Sequence, residues 1–435
     1  MVRKNIDVRE SLRASFKDGI FAALMGGVTD HYATPLALFL GATVLQVGFV
    51  SALPNLLSSL SQFFAVGVIY WVGGRRKLLV RLVFSQASLF FGIAVLAASD
   101  VPSRVEWFLV LLTLAALCGG LAGPAWGSLI SDYIPARKRG HYFGWRNSVL
   151  GAVGVGSVCG AGVLLYLCSQ LGYGGGFVVL FCLAALARYG SAYFIKQMDE
   201  PPHKKDPAGD FTFLMFIARF RESNFLKFIT FAAALNFASF LAAPFFAVFM
   251  LRDLQLDYLT YMALHVSAAL VTLVALPLWG RHGDLVGNVR VLRLSSFFAT
   301  LIPFFWLVSH NPVYLILVQM WAGFAWSGVT LSTGNFIYDA VTPQKRVRCI
   351  AYFNVINGVA VFLGSATGGW LASRLPPLLG YQLIGLFVLS GFCRLLVYIS
   401  LSARFQEVRR AREVSIRELF FSVVGIRPLM GPAQE

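Results

Sequence analysis

The chain has 435 residues, of which 57% are hydrophobic and 13% are charged, and its formal net charge is +16. Soluble globular domains carry about 25% charged residues, so the composition excludes an ordinary soluble domain and favours a protein surrounded mainly by lipid. A basic balance can indicate nucleic-acid binding. Here the Lys and Arg residues stand between hydrophobic runs, so we interpret them as topology signals and expect no nucleic-acid partner.

Apolar segments long enough to cross a bilayer follow one another along the whole chain. A helix needs about 20 mostly apolar residues to span the hydrocarbon core. On that criterion the sequence predicts twelve membrane helices, over 18–40, 46–71, 78–98, 105–131, 145–168, 174–195, 225–250, 258–279, 291–309, 313–338, 349–373 and 380–403.

Most of the 36 Lys and Arg residues fall on one side of these predicted helices. By the positive-inside rule, this side is the cytoplasm and holds both termini. An even number of spans also requires both termini on one side. We therefore expect an integral multi-pass protein of a bacterial cytoplasmic (inner) membrane.

The two halves of the chain repeat each other. Residues 132–147 align with 339–354 without a gap, so that Asp132 meets Asp339. A duplication of six helices with both termini inside relates the halves by an axis along the membrane normal. The predicted domains are an N-terminal bundle, a cytoplasmic linker, a C-terminal bundle and a basic cytoplasmic tail, over 1–197, 198–223, 224–403 and 404–435.

The tail contains an amphipathic segment, VSIRELFFSVVGI, over 414–426. Its apolar residues recur at helical spacing and basic residues precede it. This pattern predicts a helix that lies on the anionic cytoplasmic leaflet. A docking helix for a soluble partner is the alternative.

Three loops carry motifs that resemble those of the major facilitator superfamily of transporters. The motifs are Gly280-x-x-x-Asp284-x-x-Gly287 with Arg290 downstream, the related Gly67-x-x-x-Trp71-x-x-Gly74, and Asp132-x-x-Pro135-x-x-x-Arg139-Gly140. The resemblance covers nearly the whole length. It implies an all-α membrane fold of twelve helices in two pseudo-symmetric six-helix bundles.

Charged residues of these loops are predicted to form a cytoplasmic gate. A carboxylate at a helix end can accept hydrogen bonds from a neighbouring helix N-terminus and pair with arginine, and partners that separate when the cytoplasmic side opens would act as a latch. The alternative is that the charges only cap helices and set orientation. The predicted gate residues are Asp284, Arg290, Asp339 and Arg346 in the C-half and Asp132, Arg139, Arg75 and Arg76 in the N-half.

The first predicted helix carries an acid and an imidazole, Asp30 and His31, near its middle. Charged residues are expensive at the bilayer midplane and mark functional sites. The resemblance implies that this helix lines a central cavity, where a membrane-embedded acid carries a coupling proton. We therefore predict that Asp30 and His31 couple transport to protons. Alternatively, Asp30 only contacts the solute, and one of the two side chains faces a neighbouring helix.

Polar and aromatic residues within the other spans are candidates for substrate binding. Each can equally form interhelical hydrogen bonds or pack against neighbours and lipid. The candidates are Tyr32, Gln62, Trp126, Asn236, His265, Trp326 and Asn357. Arg188 and Arg394 occupy matched positions in the two halves, and we interpret both as structural, with side chains that snorkel or pair at the cytoplasmic edge.

The sequence contains no metal cluster, nucleophile triad or phosphate loop, so we expect no enzyme activity, no cofactor and no bound metal. We expect a monomeric secondary active transporter of a small organic solute, working by alternating access and driven by a proton gradient. A uniporter, or a non-transporting receptor or partner subunit with the same fold, is the alternative. The small number of buried charges favours a neutral, zwitterionic or amphiphilic solute.

Overall fold

The computed structural model describes residues 7–134, 136–201, 223–341, 343–408 and 416–423, with the backbone alone at 136–141, 343–348, 416–417 and 420–421. Within these ranges twelve long helices follow one another, as the sequence predicts. They are α1 (Val8–Phe39), α2 (Val44–Val72), α3 (Arg75–Ala98), α4 (Arg104–Tyr133), α5 (Ala136–Gln170), α6 (Gly176–Lys196), α7 (Asn224–Asp253), α8 (Tyr258–Val286), α9 (Asn288–Phe305), α10 (Pro312–Ala340), α11 (Pro343–Ala372) and α12 (Ile384–Leu401).

Ten of these helices are long and apolar enough to cross a membrane, counted over the described ranges. The other two, α1 and α9, carry more polar residues. The charges of α9 are Arg290 and Arg293, both in its first turns. Helix α1 is the first helix of its half, and α9 follows the short turn at Gly287. Polar residues are tolerated at such helix starts.

Helix α1 begins ten residues earlier than predicted. Asp7 caps it, because its carboxylate accepts a hydrogen bond of 3.0 Å from the Glu10 backbone N–H. Capping by an aspartate side chain stabilises a helix start. As a consequence, Asp18, which we placed at the edge of the first span, lies well inside α1.

Two helices are interrupted within their spans. Helix α2 passes through a 3-10 turn at Gln62–Phe64, and α7 breaks its regular pattern before Pro244 and ends in a π-helical turn, Phe249–Asp253. Proline removes a helix hydrogen bond and crowds the preceding turn. The short turns before α3 and α9 use Gly74 and Gly287, at φ of 153° and 91°, a backbone conformation that glycine adopts without strain.

The chain divides into two compact units that differ from the predicted bundles. The first unit takes in the described residues of Met1–Ala208 together with Pro244–Met262; the second takes in those of Gly209–Ala243 and Ala263–Glu435. Pro244–Met262, predicted as part of the second bundle, thus packs with the first half. Tyr261 Oη donates a 2.9 Å hydrogen bond to the His31 carbonyl oxygen, and the rings of Tyr258 and Phe177 meet edge to face.

Each unit has its own apolar core. In the first unit, leucines of α3 and α4 pack with the end of α6, and Leu79, Leu129 and Ile195 are almost completely buried. In the second unit, the ring of Phe228 contacts those of Phe336 and Phe405. These contacts hold the helices together within each half.

A short helix, α13 (Ile416–Val423), lies in the tail. Leu419 and Val423 are buried, α13 contacts α9, and Ser422 Oγ lies 3.0 Å from His282 Nε2. The described apolar side chains of this helix therefore pack on the second unit, and its placement on the membrane surface stays a prediction. The rest of the predicted amphipathic segment lies outside the described residues.

Candidate transport site and cytoplasmic charge clusters

Arg75 is the centre of a charge cluster at one end of the first unit. Its side chain is 1% exposed, and its Nη1 lies 2.7 Å from Asp132 Oδ2. It also donates to Ser128 Oγ at 2.9 Å and to the Pro201 carbonyl oxygen at 3.1 Å. Two residues that the sequence predicted together, Arg75 and Asp132, are therefore paired.

Glu200 completes this cluster and was missed by sequence reasoning. Its carboxylate accepts hydrogen bonds from the backbone N–H groups of Arg75 and Arg76, at 2.6 and 3.3 Å. A carboxylate at a helix N-terminus interacts favourably with the helix dipole, so Glu200 caps α3. Arg76 Nη1 in turn donates to the Met198 carbonyl oxygen at 2.8 Å. The first four residues of the predicted linker therefore belong to the first unit.

The second unit repeats this arrangement with a neutral donor. Asn288 Nδ2 donates to Asp339 Oδ2 at 2.8 Å, as Arg75 does to Asp132. Glu407 Oε2 accepts from the Val289 backbone N–H at 2.8 Å, as Glu200 does at α3. Glu200 and Glu407 stand at the same offset as Asp132 and Asp339, whereas the matched pair Arg188 and Arg394 has an offset one residue shorter. The internal repeat therefore places the two capping acids within one residue of each other.

The remaining predicted gate residues are only partly placed. Asp284 is exposed at the end of α8, and Arg290 donates from Nη1 to the Val286 carbonyl oxygen at 3.1 Å. The side chains of Arg139 and Arg346 lie outside the described residues. Each of these hydrogen bonds joins elements of one half, as expected if the charged residues cap helices. The gating role of these residues stays a prediction.

The second unit contains a cavity of 360 Å³ between α7, α10 and α11. Three predicted substrate-binding residues line it, and Asn236 Nδ2 donates to Asn357 Oδ1 at 3.1 Å. None of its described lining residues carries a charge. Such a surface can accept an uncharged polar or aromatic group. The lining residues are Asn236, Trp326, Val329, Thr330, Thr333, Gly334, Ile337, Tyr338, Ile350, Phe353, Asn354 and Asn357.

The first unit contains a cavity of 250 Å³ that the sequence did not predict as a charged site. Helices α1, α3, α4, α5 and α6 each contribute to it. Its polar lining consists of Asp18, Trp126, Arg146 and Arg188. Trp126 is the one member that we predicted. We refer to Asp18, Arg146 and Arg188 as the buried charge cluster.

Asp18 is held by neutral donors. Ser191 Oγ donates to its Oδ1 at 2.6 Å and Trp126 Nε1 to its Oδ2 at 3.2 Å. Arg188 Nη1 donates to the same Ser191 hydroxyl at 3.1 Å, and its Nε donates to Gln86 Oε1 at 2.7 Å. The Arg188 charge therefore reaches Asp18 through the hydroxyl of Ser191.

Arg146 lies on the other side of Trp126. Its guanidinium sits over the indole ring, 4.5 Å from the ring centroid, a cation–π arrangement. Its Nη2 donates to the Ser15 carbonyl oxygen at 3.3 Å, while its buried Nε has no hydrogen-bond partner among the described residues.

The matched arginines Arg188 and Arg394 are both buried and do not snorkel. Arg394 donates to the carbonyl oxygens of Ala299 and Ser239 at 3.0 and 3.3 Å. Its role is therefore structural, as we predicted. Arg188 differs because it lines a cavity.

Asp30 lies on a side of α1 that also carries residues buried in protein. Ala37 follows it by about two helical turns on the same side and is completely buried. Gly19 precedes it by about three turns on that side and lines the first-unit cavity. Leu24, an exposed apolar residue, points elsewhere. Asp30 itself is exposed, and Thr29 Oγ1 lies 3.4 Å from its Oδ1.

Three other predicted binding residues line neither described cavity. Tyr32 is completely buried, and its hydroxyl donates to the Val158 carbonyl oxygen at 2.9 Å, so the structure does not support a solute contact there. Gln62 lies in the 3-10 turn of α2, and His265 is half-buried on α8. His31 is half-buried beside Asp30.

Comparison with known proteins agrees with this fold. The chain matches the family model of the Major Facilitator Superfamily over residues 16–247 and again over 226–430. The multi-drug resistance efflux pump PmrA of Streptococcus pneumoniae is 23% identical over 360 residues, which cover 81% of this chain and 86% of that protein. A Na(+), Li(+), K(+)/H(+) antiporter of Planococcus maritimus is 33% identical over 120 residues, covering 26% and 28%.

Solved structures show the same fold. A variant of the nucleoside transporter NupG superposes with a TM-score of 0.71 at 13% identity, covering 91% of this chain and all of that one. At this identity the likeness establishes the fold alone. Together with the family match over almost the whole length, it shows that the chain belongs to the major facilitator superfamily and is a multi-pass membrane transporter rather than an enzyme.

Proposed function

We propose that this protein exports a small amphipathic organic solute by alternating access, in exchange for protons. The observation that carries the proposal is the position of Asp30, an exposed carboxylate on a side of α1 that also carries buried residues. A charged group at this depth is costly unless it has a function. The functions of the relatives, multidrug efflux and cation/proton antiport, support the direction and the coupling.

Asp30 is the proposed proton carrier because of its depth in the helix. It precedes the end of α1 at Phe39 by about nine residues, or roughly 14 Å of helix. That distance corresponds to about half of a 30 Å hydrocarbon core. Helix α1 extends further on the cytoplasmic side, where Asp7 caps it, so its longer end does not displace Asp30 from the middle of the membrane.

The cavity of the second unit is the proposed site for the uncharged part of the solute. Its amide, hydroxyl and aromatic side chains provide hydrogen bonds and apolar contact, the usual composition of a small-molecule site. The proposed orientation places both termini in the cytoplasm, at a bacterial inner membrane, with one chain as the working unit. The cytoplasmic gate remains part of this proposal.

The test is solute-driven proton movement in proteoliposomes that contain a pH-sensitive dye. The probes are ethidium, dansylglycine and dansylglycinamide. Wild-type protein is expected to move protons when at least one probe is added, and Asp30→Asn is expected to abolish this signal. Asp100→Asn is the control, since Asp100 is an exposed acid in the connection before α4, where it pairs with Arg104.

Three results would contradict parts of the proposal. If probe uptake occurs without proton movement in the wild type, the protein is a uniporter. If no probe moves at all, the non-transporting alternative gains support. Unchanged proton movement in Asp30→Asn would remove Asp30 from the coupling step while leaving transport intact.

A further inference from the structure

The buried charge cluster of Asp18, Arg146 and Arg188 has a use that neither the repeat nor the loop motifs account for. We infer that the first-unit cavity binds a single negative charge, the carboxylate of the transported solute. This assignment rests on the proposed function, since it names the class of solute. It also changes the expectation from sequence, which favoured a solute without a strong charge.

The first argument is the charge balance of the cavity. Of its described lining residues, Arg146 and Arg188 are cationic and Asp18 is anionic. Arginine stays protonated in proteins. Even with Asp18 ionised, the cavity therefore carries one net positive charge. An uncompensated charge in a membrane-embedded interior is unfavourable, and one bound carboxylate would offset it.

The second argument is the unfilled hydrogen-bonding capacity of Arg146. The residue is 7% exposed and lines the cavity, yet its Nε has no partner among the described residues. A buried donor without an acceptor costs free energy. Guanidinium groups bind carboxylates in a bidentate geometry, so a solute carboxylate would supply the acceptor.

Asp18 does not fill this role. Both of its oxygens accept from neutral donors, Ser191 and Trp126. It thus holds the hydroxyl and the indole in place and leaves the face of Arg146 toward the cavity without a carboxylate. The cavity volume of 250 Å³ corresponds to roughly eight water-sized groups at about 30 Å³ each, enough for a carboxylate and a small part of the molecule that carries it.

The matched position in the other half supports a ligand role rather than a general structural one. Arg394 donates to two backbone carbonyl oxygens and lines neither described cavity. Its buried Nε, like that of Arg146, has no partner among the described residues. The sequence from Asn224 to Leu251 on α7, which matches α1, has no Asp or Glu. The cavity of the second unit also has no charged residue in its described lining. The charge is specific to the first unit.

The experiment compares two probes that differ in one group, dansylglycine and its neutral amide, dansylglycinamide. Binding to the purified full-length transporter is followed by dansyl fluorescence. We expect wild-type protein to prefer the carboxylate by about ten- to a hundredfold, the usual range for one charge-assisted interaction. Arg146→Gln should remove this preference without changing the affinity for the amide, and Arg146→Lys should restore part of it.

Arg81→Gln is the matched control, because Arg81 is an exposed cation of α3, the helix that contributes Leu79 and Val83 to the cavity. It should leave both affinities unchanged. Equal binding of the two probes by the wild type, or of neither, would overturn the assignment. An equal loss of both probes in Arg146→Gln would also overturn it, since that result means a structural role.

Chloride is the other possible source of the negative charge. Replacing chloride by isethionate should leave dansylglycine affinity unchanged if the solute carboxylate occupies the site. Tight competition by chloride, with equal transport of both probes, would assign the cavity to an inorganic anion and overturn the proposal. If dansylglycine binds in an Arg146-dependent manner but no proton movement follows, the proposed coupling fails while the carboxylate site stands.

Discussion

The pair of Arg75 and Asp132 allows a quantitative prediction, because the same chain contains a weak pair for comparison. Arg75 is 1% exposed and Asp132 is 40% exposed, at an Nη1–Oδ2 distance of 2.7 Å. Breaking a buried ion pair costs about 3–5 kcal/mol. Since Asp132 is partly in solvent and Arg75 keeps Ser128 and Pro201 as acceptors, we expect a smaller coupling energy of about 2 kcal/mol.

The assay is a double-mutant cycle on the free energy of unfolding in detergent, with Arg75→Gln, Asp132→Asn and the double variant. The control cycle uses Arg104 and Asp100, an exposed pair at 3.3 Å between the first residue of α4 and the connection before it. Exposed pairs contribute little, so this cycle should give no measurable coupling. Equal coupling in the two cycles would refute the conclusion that burial makes the Arg75 pair strong.

Two further substitutions test the packing and capping described above. Glu200→Gln should destabilise the protein by about 1 kcal/mol, because it weakens the cap of α3; Asp100→Asn, at an exposed acid before α4, should not, and equal thermal stability of the two variants would contradict the capping role. Gly120→Ala should cost about 1–3 kcal/mol, because a methyl group there would overlap the Ser58 carbonyl oxygen. Gly156→Ala meets no atom within 4 Å and should be neutral or stabilising by up to about 1 kcal/mol in the same melting experiment; a lower stability than Gly120→Ala would show that the helix contacts are placed wrongly.

The helices were predictable because the bilayer imposes their length and composition. The positions of residues at the ends of these helices were harder to predict. Asp18 stood at the predicted start of the first span, and only the Asp7 cap, eleven residues earlier, places it inside α1. An acid near a predicted boundary cannot be assigned to the interior or the surface from hydropathy alone. Its partners Ser191 and Arg188 come from α6, far away in the sequence.

The two capping acids show what the internal repeat could have added. Glu200 and Glu407 occupy equivalent positions, and both accept backbone hydrogen bonds at the start of a helix. The repeat indicates that the two acids are equivalent, but it does not indicate the backbone N–H groups that they bind. The assignment of Pro244–Met262 to the first unit has no sequence signal of this kind, because it depends on contacts such as that between Tyr261 and His31.

The central claim is that Asp30 couples solute movement to protons, and one measurement separates coupling from transport itself. Proteoliposomes with Asp30→Asn are given labelled dansylglycine, either with an imposed pH gradient or with unlabelled dansylglycine on the opposite side. We predict that accumulation driven by the pH gradient is lost while exchange of labelled for unlabelled solute continues. Accumulation at the wild-type level in this variant would contradict the claim.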